Sequence, residues 1–182
     1  VFIARSAYSA HLFVLLVLRH AMEYPMHFVG AGPGDPELIT VKGRRLLEEA
    51  DRIVYAGSLV PETLLKGCKA GARIHNSAPL TLEETHTLLR EGYLEGERVV
   101  RLHTGDPALY GAIQEQMELL DREAIPYAVV PGVSAVFAAA AALTQELTLP
   151  EVSQTVILTR MAGRTPVPEG EDLRSLATHR AT

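Results

Sequence analysis

From Met26 onward, short apolar runs alternate with stretches of helical period, and this alternation constrains the fold more than any single motif. The runs lie at Met26–Gly30, 52–56, 98–103, Tyr127–Val130 and 155–159. Each has strand length, and each is followed by punctuation in Gly, Pro, Asp or Ser. Between them Ile113, Met117 and Leu120 recur after Leu109 at the spacing of one helical face. The 82–90 stretch sets Leu82, Leu88 and Leu89 against Glu83, Glu84 and Arg90, while Leu46, Leu47 and Ala50 give the helix after the first strand its buried side. Strands separated by helices of this length predict an α/β fold, a mostly parallel sheet covered by helices on both faces.

Composition narrows the function. Hydrophobic residues make up 47% of the 182, enough for a packed core and too many for disorder. Seventeen Lys and Arg against twenty-two Asp and Glu leave a net charge of -5, which argues against a nucleic-acid partner. A few cations in a cleft can still attract a small anion. The single Cys68 excludes an internal disulfide, and no Cys/His set has zinc spacing, so no protein-bound metal is expected. A reducing, cytoplasmic setting is the simplest expectation.

The apolar run at 12–18, flanked by Arg5 and Arg19, is far shorter than the roughly 20 residues that cross a bilayer, so no membrane association is expected. Residues 1–25 are expected to be an upstream extension, with the working protein beginning at Met26 or Met22. An N-terminal domain is expected over 26–150, with a boundary near Leu149-Pro150-Glu151-Val152. Residues 151–182 are expected to start a second α/β domain that is incomplete, since a lone strand at 155–159 cannot bury its faces.

Three loops follow strands on the edge where open α/β sheets bind ligands. Gly30-Ala31-Gly32-Pro33-Gly34-Asp35-Pro36 begins like a dinucleotide fingerprint, but Asp35 stands where the third glycine belongs. A carboxylate there would repel pyrophosphate, and Pro33 and Pro36 lack the N–H groups of an anion cradle. The dinucleotide reading fails. The second loop is His103-Thr104-Gly105-Asp106-Pro107, in which Asp-Pro is also a common helix start. The third, Pro131-Gly132-Val133-Ser134-Ala135, leads into an Ala-rich helix; its small residues either pack closely on the sheet or leave room for a flat ligand such as adenine. No Walker lysine and no Ser-centred nucleophile elbow accompany these loops, so they favour binding and orientation over covalent catalysis.

The first loop with Glu37-Leu38-Ile39-Thr40, the central Arg101-Leu102-His103-Thr104-Gly105-Asp106-Pro107-Ala108-Leu109-Tyr110-Gly111, and Pro131-Gly132-Val133-Ser134 together resemble the signatures of the tetrapyrrole methylases. Within that family three stretches are most similar to the branch acting at C-11 of precorrin-4 or cobalt-precorrin-4. They are Tyr55-Ala56-Gly57-Ser58-Leu59-Val60, the His103-Thr104 variant with Gln114-Glu115-Gln116-Met117, and Gln154 to Arg160 continuing into residues 163–168.

The resemblance implies a two-domain α/β homodimer that transfers a methyl group from S-adenosyl-L-methionine to a ring carbon in corrin synthesis. It implies cofactor contacts at Gly105, Asp106, Pro107, Tyr110, Ser134 and Ala135. Further contacts are implied from later strands of a second domain, so residues 1–182 alone are expected to bind the donor weakly. The tetrapyrrole substrate carries many carboxylates, for which Arg101, His103, Arg160 and Arg164 are the candidate cations, with Lys42 behind them and Gly32, Pro33 and Gly34 shaping the substrate side. Asp106 either meets the cofactor directly or shapes its loop. Asp35 either assists proton movement as the catalytic group or caps the first loop. The alternatives are another methylase of the family, acting on uroporphyrinogen III or precorrin-2, and an inert truncated binding domain.

Overall fold

A computed structural model of the chain describes residues 25–163, 166–179 and 181. The expected upstream extension lies outside them apart from Pro25. Chain contacts divide the molecule into one unit up to Ala135 and another from Val136.

The first unit is a five-stranded parallel sheet in the order β3-β2-β4-β1-β5. Its strands are β1 (Met26–Gly30), β2 (Arg52–Tyr55), β3 (Arg73–Asn76), β4 (Val99–His103) and β5 (Tyr127–Val130). The helices are α1 (Val41–Glu49), α2 (Glu62–Leu65), α3 (Leu82–Leu94) and α4 (Ile113–Arg122), with α5 (Ala135–Ala142) following β5.

Strand order and side-chain alternation explain the two layers. The β1-to-β2 connection passes β4 in one direction, and the β4-to-β5 connection passes β1 in the other. Crossovers of one hand running in opposite directions put their helices on opposite faces. Accordingly Leu47 of α1 and Leu64 of α2 pack on Val29, Ile53, Val100 and Leu102. Leu89 and Tyr93 of α3, with Ile113 and Leu120 of α4, pack on Phe28, Val54 and Val99. Each fully buried side chain of this kind contributes about 1.5–3 kcal/mol. The reversal of direction opens a crevice at the carboxyl ends of β1 and β4, the usual place for a ligand.

The helix starts are written locally. The Thr40 hydroxyl accepts from the Gly43 N–H at 3.1 Å to cap α1. Thr81 and Glu84 form a capping box at α3.

The structure departs from the sequence reading in four places. β3 was not expected; its Arg-Ile-His-Asn sequence carries one aliphatic residue because it is an edge strand, and Arg73 pairs outward with Glu95 and Glu97. Leu82 begins α3 but stays 36% exposed, and Thr85 and His86 are buried in its place. α4 begins at Ile113 rather than near Leu109.

The fourth departure is in the second unit, where residues 155–159 form no ladder. A strand is defined by pairing, and this segment pairs with no strand among the described residues. The expected boundary at Leu149–Val152 falls inside this unit, at a turn closed by the antiparallel bridge between Leu149 and Ser153. The short helix α6 (Leu173–Leu176) is capped by Asp172, whose carboxylate accepts from Arg174 N at 3.0 Å and Ser175 N at 3.1 Å.

Candidate functional site

The three glycine loops meet at the carboxyl ends of the adjacent strands β4, β1 and β5. Ala31 N–H donates to the His103 carbonyl at 2.7 Å, and Gly32 and Gly105 exchange backbone bonds of 3.3 and 2.8 Å. Gly30, Gly105 and Gly132 then touch backbone to backbone. A methyl group added to Gly132 would lie 2.1 Å from the Gly105 carbonyl oxygen, and one on Gly30 would lie 2.5 Å from the Gly132 Cα. Side chains would hold these loops apart, so glycine here serves close approach.

Asp106 ties the crown together. Its Oδ1 accepts from Ala108 N at 2.8 Å, capping the following turn, and its Oδ2 accepts from Gly132 N at 2.9 Å in the third loop. Both carboxylate oxygens are thus engaged in shaping the loops. Pro107 is buried beneath, and Ser134 is buried immediately before α5. Ala135 is exposed. Tyr110, 60% exposed, and Ala112 both carry positive φ angles on either side of Gly111, where a Cβ would meet the Pro107 carbonyl at 2.1 Å. Two non-glycine residues in left-handed backbone cost about 1–3 kcal/mol each, a kind of strain that collects at functional loops.

Asp35 is exposed, and its Oδ1 caps the turn at Pro36–Leu38 by accepting from Glu37 N at 2.9 Å. Gly32 and Gly34 adopt positive φ and carry the chain through Pro33 on this side of the crown.

His103 ends β4 on the α3/α4 face, its ring centroid 6.0 Å from that of Phe28. Burial, with Arg101 nearby, pushes its imidazole down to about 3. His103 is therefore neutral, and it offers a hydrogen bond rather than a charge. Among the described residues its Nε2 has no partner, nor does the buried Oγ1 of Thr104 beside it.

A lowered histidine value has a defined consequence for stability. Between about pH 6.5 and 3 the unfolded chain binds a proton that the folded chain refuses, so stability falls as pH falls through that window. His27 and His75 are shifted in the same direction by burial and nearby cations. His103→Phe should flatten the stability curve in this window by up to about 1.4 kcal/mol per pH unit. Urea midpoints of the variant and parent across pH check this, and parallel curves would contradict it.

The candidate cations are dispersed. Arg101 is 7% exposed in mid-β4 and bonds Gln116 Oε1 at 2.9 Å, the Val54 carbonyl at 3.2 Å and Ser77 Oγ at 2.8 Å. Burial lowers it to about 10, so it stays charged. Lys42 lines a cavity at the opposite, amino-terminal end of the strands, with Pro25, His27, Arg45 and Arg98. Arg160 belongs to the second unit, where its Nη2 donates to the Pro166 carbonyl at 2.9 Å. Arg164 lies outside the described residues. Among the described residues no three His, Cys, Asp or Glu side chains gather as a metal site, and no helix is long and apolar enough to cross a membrane.

A profile of the Tetrapyrrole (Corrin/Porphyrin) Methylases matches residues 25–182. The chain belongs to the tetrapyrrole methylase family. It is 59% identical over 154 residues to the cobalt-precorrin-4 C(11)-methyltransferase of Methanocaldococcus jannaschii, covering 85% of this chain and 60% of that one. The X-ray structure of a cobalt precorrin-4 methyltransferase superposes with a TM-score of 0.83 at 54% identity, covering 88% of this chain and 66% of that one. A uroporphyrin-III C-methyl transferase from Thermus thermophilus, complexed with S-adenyl homocysteine, gives a TM-score of 0.59 at 35% identity over 72% of this chain and 53% of that one. The chain thus spans about 60% of the length of the curated methylase above.

Sequence reasoning singled out all three loops of this crown. It missed Thr104 as a buried unpaired hydroxyl and Gly132 as the partner of Asp106, because both depend on how separate loops pack. The strained Tyr110-Gly111-Ala112 turn had a signal, a glycine just ahead of the helical period, that was not read.

Proposed function

We propose that the protein is an S-adenosyl-L-methionine-dependent C-methyltransferase acting at C-11 of precorrin-4 or cobalt-precorrin-4 in corrin ring synthesis. The observation that carries this reading is the crown of three glycine loops on a chain 54% identical to a cobalt precorrin-4 methyltransferase of known structure. The relative crystallised with S-adenyl homocysteine supports the choice of donor. A homodimer in the cytoplasm, as the sequence resemblance and the single cysteine suggest, completes the proposal.

The residues present fit the donor. Thr104 Oγ1 is a buried polar atom with no partner among the described residues at the crown, suited to a ligand rich in hydroxyl, amine and carboxylate groups. When bound, the donor supplies an electrophilic sulfonium methyl, and an electron-rich ring carbon accepts it in line without requiring a Lewis acid. The protein's contribution is then proximity and orientation. Gly105, Pro107, Tyr110, Ser134 and Ala135 form the cofactor side, with Asp106 holding the second loop against the third. Gly32, Pro33 and Gly34 border the substrate side with His103, a neutral hydrogen-bonding group. Arg101, Arg160 and Arg164 complete the proposed substrate set, binding carboxylates.

Asp35 is the candidate for taking up the proton that the ring system releases, from a position other than the methylated carbon, once the methyl bond has formed. Asn caps a turn as well as Asp does. Asp35→Asn should therefore leave the unfolding midpoint within about 0.5 kcal/mol of the parent while lowering turnover by about 100-fold, the lower end of general acid–base contributions. Full turnover in the variant would leave Asp35 as a cap alone. The function is tested by labelled-methyl transfer to precorrin-4, cobalt-precorrin-4, precorrin-2 and uroporphyrinogen III. Turnover is expected on the first pair, and preference for the second pair would move the protein to another branch of the family.

A further inference from the structure

We propose that the cavity lined by Arg101, Ser77, Thr85 and Gln116 is a carboxylate-binding subsite, with the Arg101 guanidinium as the group that receives the carboxylate. The cavity is about 300 Å³, roughly ten times the ~30 Å³ share of one liquid water. Arg101, Ser77, Thr85 and Gln116 line it, and each is less than 9% exposed.

The fold contains a second buried guanidinium, Arg52, at 3% exposure, and surrounds it with carboxylates. Its Nε meets Glu97 at 2.6 Å, its Nη2 meets Glu95 at 3.2 Å and its Nη1 lies 3.7 Å from Glu91. Arg101 is buried almost as deeply and has no carboxylate within ion-pair distance among the described residues. Its partners are all neutral: an amide oxygen, a backbone carbonyl and a hydroxyl. Its Nη2 donates no hydrogen bond within the described chain. Buried charges are normally paired, and guanidinium matches carboxylate in geometry as well as charge.

The neutral partners also fix the fork. Gln116 holds Nε from α4, while Val54 and Ser77 hold Nη1 from β2 and the loop after β3, leaving the Nη2 edge for a ligand. Glu115 stands exposed on the rim, where solvent screens it, so the occupant is favoured to bring one carboxylate rather than several. The carboxylate comes either from an acid side chain of the tetrapyrrole or from a free small acid. The first source rests on the function proposed above; the subsite itself does not.

The test follows the Nε–Hε resonance of Arg101 in ¹⁵N-arginine-labelled protein, which burial protects from exchange. Titration with sodium propionate at constant ionic strength is expected to move it saturably, with a Kd on the order of millimolar for so small a ligand. Sodium chloride is expected to leave it in place. Leu82→Trp, a substitution at the partly exposed residue lining the cavity, should abolish the shift while preserving the unfolding midpoint. An Arg101 resonance unmoved by propionate, or moved equally in a folded Leu82→Trp protein, would overturn the subsite and leave Arg101 as an internal tie. In turnover assays Leu82→Trp assigns the source: a KM for the tetrapyrrole raised about tenfold with kcat unchanged supports a substrate arm, and an unchanged KM beside a propionate response in the parent supports a free acid.

Discussion

Gly132→Ala is expected to lower stability by about 3 kcal/mol, at the upper end of what overpacking costs. The added methyl would stand 2.1 Å from the Gly105 carbonyl oxygen and 2.8 Å from the Gly30 Cα, and both are backbone atoms that cannot swing aside. Relief requires the third loop to move away from the other two, which also breaks the hydrogen bond from Gly132 N–H to Asp106. Donor binding should therefore fall with stability. Gly163→Ala is the control: no atom of the described residues lies within 4 Å of the position, and a change below about 0.5 kcal/mol is expected. Urea unfolding of the two variants with unchanged m values checks the pair. A Gly132→Ala protein as stable as the control would show that the loops are not in close contact.

Asp106→Ala should reduce stability by about 2 kcal/mol and weaken donor binding at least tenfold. One part of the loss is the cap on Ala108 N–H. The other is the partly buried Gly132 N–H, which would lose its acceptor. Asp106→Asn separates loop shaping from direct charge pairing. Its amide keeps one acceptor oxygen, so a loop-shaping role predicts stability and affinity that fall together and lie between Ala and Asp. A carboxylate that pairs with the donor's ammonium predicts an Asn variant of near-parent stability with lost affinity. The occupied oxygens favour the first pattern. Denaturation midpoints and calorimetric titration with S-adenosylhomocysteine distinguish them.

The sheet was legible because its inner strands carry their burial on the surface of the sequence. Val99, Val100 and Leu102 can only be a strand covered on both sides, and α1 and α4 show their buried faces in Leu47 and Leu120. β3 was hidden by the same logic, since an edge strand is free to be polar and Arg73 and His75 disguise it. The segment 155–159 misled in the opposite sense: its composition suits a strand, but a strand is a pairing, and composition does not supply the partner.

The candidate site was legible as motifs and opaque as chemistry. Glycine, Asp-Pro and Ser-Ala patterns located all three loops, but the bond from Gly132 N–H to Asp106 joins two separate loops and has no local signal. His103 and Arg101 share a face of one strand and looked alike as cleft cations. Burial separates them, leaving one imidazole neutral and one guanidinium charged without an ion-pair partner among the described residues. Such differences arise from α3 and α4 closing over β4, which no local stretch of sequence encodes.

Methyl transfer to a single ring carbon leaves its mark in the position of the new methyl group. The protein is incubated with S-adenosylmethionine carrying a ¹³C methyl group and with precorrin-4 or cobalt-precorrin-4, and the product is examined by ¹³C NMR. A single enriched methyl bonded to C-11 is the predicted result. Label at any other ring carbon, or label appearing only when uroporphyrinogen III or precorrin-2 is supplied, would contradict it.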